Sequence, residues 1–360
     1  MLILSLFVGS AAAAEVTDLP PKFRGDVHVA YNGDFQQVGI AETSPQGADL
    51  TYAVRNTTRH NLGFRLEGAV FTGVAVTLGL PIDIQQRIAW PTRDGVDGGR
   101  EMLYEPTTGE GSFGNGQPFS PEPIISGGLQ GVWLGVAAAP LSSSYSFGFP
   151  IDSRIDVGVR TPGGKSTMYG PNRGGSPGGA ALRLAAAFSA EKGRANPYFS
   201  FEYIKEFKST APQIVENDGT VIGTDVVVKG PDRLDARTGA EIVLSQKKGT
   251  DARVALDLYA GVGYRGWQSH PSGFWLPDVL PTTLGTTVVQ DGYLVARGGG
   301  AIDAHLNKYI GLRLGAEGRF ITPFRVESPY DAHTDLGGFE VGWNLSVVGR
   351  VRLKDDPATL

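Results

Sequence analysis

Between Arg253 and Arg265 the chain reads RVALDLYAGVGYR, and its side chains alternate in character for the whole run. Successive residues of a strand point to opposite faces. One face therefore carries Val254, Leu256, Leu258, Ala260, Val262 and Tyr264, and the other carries Arg253, Asp257, Tyr259 and Arg265 among small residues. The pattern returns at 308–320, where Ile310, Leu312, Leu314, Ala316 and Phe320 oppose Arg313, Glu317 and Arg319. It returns again at 233–244 and at 339–353. These runs exceed the ~5–6 residues usual for strands of soluble proteins. Helical periodicity is almost absent, so the fold class is all-β.

Connections supply the second constraint. Strands are predicted at about 24–34, 49–70, 74–89, 125–140, 150–161, 178–191, 196–208, 233–246, 251–265, 291–305, 309–322 and 336–353. Short and long connections then alternate along the chain. The short ones hold turn residues, such as Thr72–Gly73, Lys192–Gly193–Arg194 and Asn307–Lys308, whereas the long ones are rich in Pro, Gly, Ser and Asn. The strand at 49–70 is long enough to contain a bend near Asn56–Asn61.

A barrel spanning a membrane has this loop asymmetry. Lipid cannot hydrogen-bond backbone, so a sheet persists there only when it closes and leaves no edge. Its outer face is then apolar and its inner face is free to be charged. If both chain ends lie on one side, the strand number is even. The expectation is a single transmembrane antiparallel up-and-down β-barrel of about twelve strands, with ten to fourteen compatible. A soluble sandwich or lipocalin-like barrel explains the alternation equally well. It does not explain the shared loop asymmetry or the number of charged residues on the polar faces.

Composition removes other classes. The chain has no cysteine, so disulfides, thiolate metal sites and cysteine nucleophiles are excluded. A formal net charge of −5 with scattered Lys and Arg offers nucleic acid no basic block. No segment beyond the N-terminus approaches the ~20 apolar residues of a spanning helix. At that terminus Leu2–Val8 are nearly all apolar and Gly9–Ala14 are small, which fits a secretory leader cut near Ala14–Glu15. No Lys or Arg precedes the apolar core, so a few residues are expected upstream of Met1. The organisation expected is a leader over 1–14, a barrel over 15–353 and a periplasmic tail over 354–360.

The mature chain from about Arg24 to Leu353 resembles the outer-membrane β-barrel superfamily of Gram-negative bacteria, porin-like channels included. Its last strand, SVVGRVRL, is similar to the terminal assembly signal of such barrels. It differs in ending on Leu353 rather than an aromatic residue, and in the tail KDDPATL. The resemblance implies an outer-membrane location, contact with membrane lipid and lipopolysaccharide, and insertion by the barrel-assembly machinery.

Charged residues on the polar faces are expected to point into the lumen. They are Arg65, Glu67, Asp152, Arg154, Asp156, Arg160, Arg183, Glu202, Glu206, Arg233, Asp235, Arg237, Glu241, Arg253, Asp257, Arg265, Arg297, Asp303, Arg313, Glu317, Arg319, Glu340, Arg350 and Arg352. Such a wall tunes the passage of small hydrophilic solutes. Equally, arginines and carboxylates paired across strands fill a narrow lumen. The function expected is a passive channel rather than an enzyme. The alternative is a non-conducting barrel displaying loops at Phe35–Ala48, Trp90–Ile124, Ser209–Asp232 and Gly266–Gln290.

Three motifs point elsewhere and are weaker. His270 and Ser272, in QSHPSG, resemble the His-x-Ser arrangement of outer-membrane phospholipases. Pro271 between them and the turn-forming Pro-Ser-Gly argue against it. In RDGVDGGR (93–100) two aspartates lack the further ligands of a calcium loop, and the histidines show no metal spacing, so no cofactor or metal is expected. VGVRTPGGKST (157–167) ends like a phosphate-binding loop, but Val159 replaces the required glycine. Pro171 and Pro177 also forbid the helix that would hold the phosphate. Phe199, Phe201 and Tyr203 share one face and are expected to meet lipid.

Overall fold

The computed structural model describes residues 17, 24–43, 49–89, 124–141, 151–162, 179–190, 194–211, 214–215, 221–222, 226–246, 252–271, 287–307, 309–327 and 332–352. They form a closed antiparallel barrel of twelve staves. The first three are β1 (Arg24–Thr43), β2 (Asp49–Phe71) and β3 (Val74–Ala89). The fourth is broken into β4 (Ile124–Leu129) and β5 (Trp133–Ala138), and β6 (Ile151–Arg160) and β7 (Ala181–Ala190) follow. β8 (Ala195–Glu206) continues as β9 (Lys208–Ala211). A separate small ladder pairs β10 (Ile214–Val215) with β11 (Val221–Ile222). The next two staves are β12 (Val226–Lys229) with β13 (Arg233–Gln246), and β14 (Arg253–Arg265) with β15 (Gln268–Pro271). Then come β16 (Thr287–Gln290) with β17 (Tyr293–His305), and β18 (Ile310–Ile321) with β19 (Phe324–Glu327). β20 (Ala332–Arg352) closes the barrel on β1, paired from Arg24↔Arg352 to Glu42↔His333.

Alternation builds the staves of the charged wall as expected. In β14 the outward Leu258, Val262 and Tyr264 are exposed, while the inward Asp257 is 0% exposed. Phe199 and Phe201 face outward and are exposed. Closure leaves no unpaired edge along β1 and β20, where a polar backbone row would otherwise face the surroundings.

Both ends of the described barrel, Arg24 and Arg352, lie with the tight turns at one end, here the turn end. The opposite, loop end differs from the sequence reading. β1 does not stop at Asp34 but runs to Thr43, so most of the expected Phe35–Ala48 loop is strand paired to both neighbours. The roots of the expected loops Ser209–Asp232 and Gly266–Gln290 are likewise strand, in β9, β12, β15 and β16. β20 begins at Ala332, earlier than expected. No hydrophobic period marks these extensions in the sequence. A bend does fall in β2: its register with β3 shifts between His60 and Asn61. A second irregularity sits between β1 and β20, where the register shifts between Val38 and Ile40 and Gly337 takes φ 75°.

Candidate functional site

The inner wall is the candidate site, and inward residues of neighbouring staves stack their charges side by side. One network joins β2, β6, β7 and β8. Arg154 donates to Glu67 (3.0 Å) and to Asp156 (2.9 Å), and Arg65 donates to Glu67 (2.8 Å). Arg183 donates to Glu202 (2.9 Å), and Arg160 reaches past β7 to Glu206 (2.6 Å). The second network joins β13 to β20. Arg313 bridges Asp303 (2.9 Å) and Asp257 (2.8 Å). Arg319 contacts Glu317 and Glu340, Arg253 contacts Glu241, and Asp235 accepts from Arg297 and from Arg265 (3.0 Å). Arg237 approaches Glu317 at 3.9 Å and lies over the Tyr259 ring. The Tyr198 hydroxyl donates to Asp257 (2.9 Å) and so links β8 to the second network.

These contacts involve most of the charged residues expected on the inner wall. Asp152 lies on the same face of β6 as Arg154, opposite Ser189. Arg350 sits near the turn end, within 4.0 Å of Asp26 and bonded to His305 (3.4 Å). The Arg352 side chain lies outside the described residues, as do those of His270 and Ser272. So do 93–100 and the Gly-Lys-Ser segment at 164–166.

Geometry sets the width of the wall. Twelve staves about 4.8 Å apart and tilted by about 40° close at a backbone radius of about 12 Å. Arginine side chains reach roughly half that distance inward, so opposed pairs leave only a narrow space between them.

Two further groups of inward residues were missed by the sequence reading. Thr57, Arg59 and Asn61 on β2, Asp34 and Gln36 on β1, and Asp83 and Gln86 on β3 form a buried polar group toward the loop end. Gln130, at the break between β4 and β5, donates to Asp83. Inward apolar residues also occur there: Trp133 with Ala181 and Ile204, and Tyr293 with Val295, Ile321 and Phe324. A stave with apolar residues on both faces has no period to read. The pairing of Asn61 with Asp83 past a bulge is invisible without the register.

The outer face carries the complementary surface. Along β14 the apolar face from Val254 to Tyr264 is about 34 Å of strand, or about 26 Å of height at a tilt of 40°. That matches the ~25 Å apolar band of transmembrane barrels. Exposed aromatics Tyr264, Trp267, Phe207, Phe320 and Phe339 edge it at the loop end, and Phe71 and Tyr309 edge it at the turn end.

No family model matches the chain, and no curated protein matches it. Solved structures do. An outer membrane channel from Pseudomonas putida F1 superposes with a TM-score of 0.52 at 11% identity, covering 94% of this chain and 98% of that one. A Pseudomonas aeruginosa FadL homologue gives 0.41 at 8% identity, over 98% and 96% of the two chains. The P. putida toluene transporter TodX gives 0.42 at 8%, over 95% and 93%. At such identity the first of these likenesses is one of fold, and it is the fold already built from the residues.

Proposed function

We propose that this protein is an outer-membrane channel that passes small solutes through its charged lumen. The observation that carries the reading is the opposition of faces in one closed barrel: an apolar band ~25 Å tall outside, and paired arginines and carboxylates inside. Only a bilayer satisfies the outer face, and only a wet or polar-filled interior satisfies the inner one. The solved structure nearest in fold among those above is itself an outer membrane channel. Short turns and both barrel ends then lie in the periplasm, and the strand extensions project outside the cell. Insertion by the barrel-assembly machinery and contact with lipopolysaccharide belong to the same reading.

Inward charges of both signs give no strong preference between cations and anions by field alone. Selection therefore rests on width and on local sites. Swelling of liposomes containing the purified protein tests the proposal. Glycerol and small sugars are expected to enter, with a sharp loss of rate for disaccharides. Swelling no faster than in protein-free liposomes, with the protein folded, would overturn it.

A further inference from the structure

Arg233 stands out on the inner wall. It is 4% exposed, yet it forms no hydrogen bond or ion pair with another described residue, and its Nε has no partner. Its register explains why. Arg233 lies opposite Arg265 on β14 and opposite Ile204 on β8, so one neighbour repels it and the other is apolar. Arg265 and Arg160 oppose its charge, while Glu206 and Asp235 favour it. Those two carboxylates are engaged elsewhere: Glu206 by Arg160 at 2.6 Å, and Asp235 by Arg265 at 3.0 Å and by Arg297. A buried guanidinium without a counter-ion is costly, so this arrangement calls for an anion.

The surroundings say what kind. On one side of Arg233 the inward face is the apolar group of Trp133, Ala181 and Ile204. On the other side, beyond Arg265, it is the group containing Tyr293 and Val295, with Tyr293 directly opposite Arg265. A cavity reaches Trp133 from the turn side, between the inward Gly79 and Gly158. An inorganic anion would satisfy Arg233 alone and make no use of the buried apolar side chains beside it, Trp133 among them with Arg160 stacked over its ring. A carboxylate with an aromatic or alkyl body satisfies both.

Resting on the channel reading, we infer that Arg233, between Trp133–Ile204 and Tyr293, is a subsite for amphipathic monocarboxylates near the outer mouth. The carboxylate accepts from Arg233, and the body lies on either apolar wall. Titration calorimetry on the folded protein in detergent micelles tests this, with benzoate as probe, benzamide as its neutral counterpart and acetate as the anion without a ring. Benzoate is expected to bind at least about ten-fold more tightly than either control, from one charge-assisted hydrogen bond and one buried ring. Arg233→Gln is expected to lose about ten-fold or more of the benzoate affinity, and Trp133→Leu to narrow the benzoate-to-acetate ratio. The heat-dependent shift of the folded band on gels verifies that each variant is folded. Equal binding of benzoate and benzamide, or of benzoate and acetate, overturns the subsite, as does an Arg233→Gln protein that binds like wild type. Conductance measured in parallel separates the two ideas. Selective binding in an electrically silent barrel keeps the subsite and removes the channel, and conduction without selectivity does the reverse.

Discussion

Asp257 is the test of how much the inner networks hold the barrel together. Its carboxylate is fully buried and accepts from the Tyr198 hydroxyl at 2.9 Å and from Arg313 Nη2 at 2.8 Å. Each such bond to a charged group contributes about 1.5–3 kcal/mol, and breaking a buried pair costs about 3–5 kcal/mol. The Asp257→Ala cost is expected at the lower end, about 3 kcal/mol, because Arg313 keeps its two contacts to Asp303 at 3.1 and 2.9 Å. Asp303→Ala should cost a similar amount for the mirrored reason. The double variant strips both carboxylates from Arg313, and it should exceed the sum of the singles by about 1–2 kcal/mol. Adding Arg313→Met to the double variant should recover part of the loss, since no buried charge is then left behind. Urea unfolding of protein folded into phosphatidylcholine vesicles, followed by tryptophan fluorescence, measures all four. Singles within about 0.5 kcal/mol of wild type and additive with each other would refute the reasoning.

Further predictions concern the surface and the seam. Leu258→Arg, at the middle of the outer band and 48% exposed, should destabilise the membrane-inserted barrel by about 2–4 kcal/mol. Leu306→Arg, in the turn at the band's edge, should cost about 0–1 kcal/mol in the same unfolding assay, and equal costs would remove the band. Gly337→Ala forces a side chain into φ 75° and against the Ile321 carbonyl, so it should cost at least about 1 kcal/mol. Gly33→Val meets the Trp343 ring packed over it from β20, and should blue- or red-shift that tryptophan's emission and lower the temperature at which the gel band shifts. An unchanged emission would mean that Trp343 does not cover Gly33.

On the channel reading proposed above, much of this architecture is legible in the chain because a bilayer separates residues by face more strictly than a soluble core does. Charged residues such as Asp257 or Arg313 cannot face lipid, so their parity alone sends them inward. The same rule is silent where both faces meet water. Residues 35–43 place Gln36 inward and Gln37 outward with no contrast between them, so the upper half of β1 carries no strand signal in the sequence. It is silent again where both faces are apolar, as in β5, where Trp133 points inward and Leu134 outward. Pairing is harder still. Arg233 lacks a partner because β13 meets β8 and β14 in one register rather than another, and register is fixed by contacts far apart in sequence.

Planar-bilayer recording on the purified, folded protein tests the central claim most directly. The account predicts stable unit conductance steps in potassium chloride, small because paired arginines narrow the lumen. A barrel shown to be folded and inserted that gives no steps at any applied voltage would contradict it.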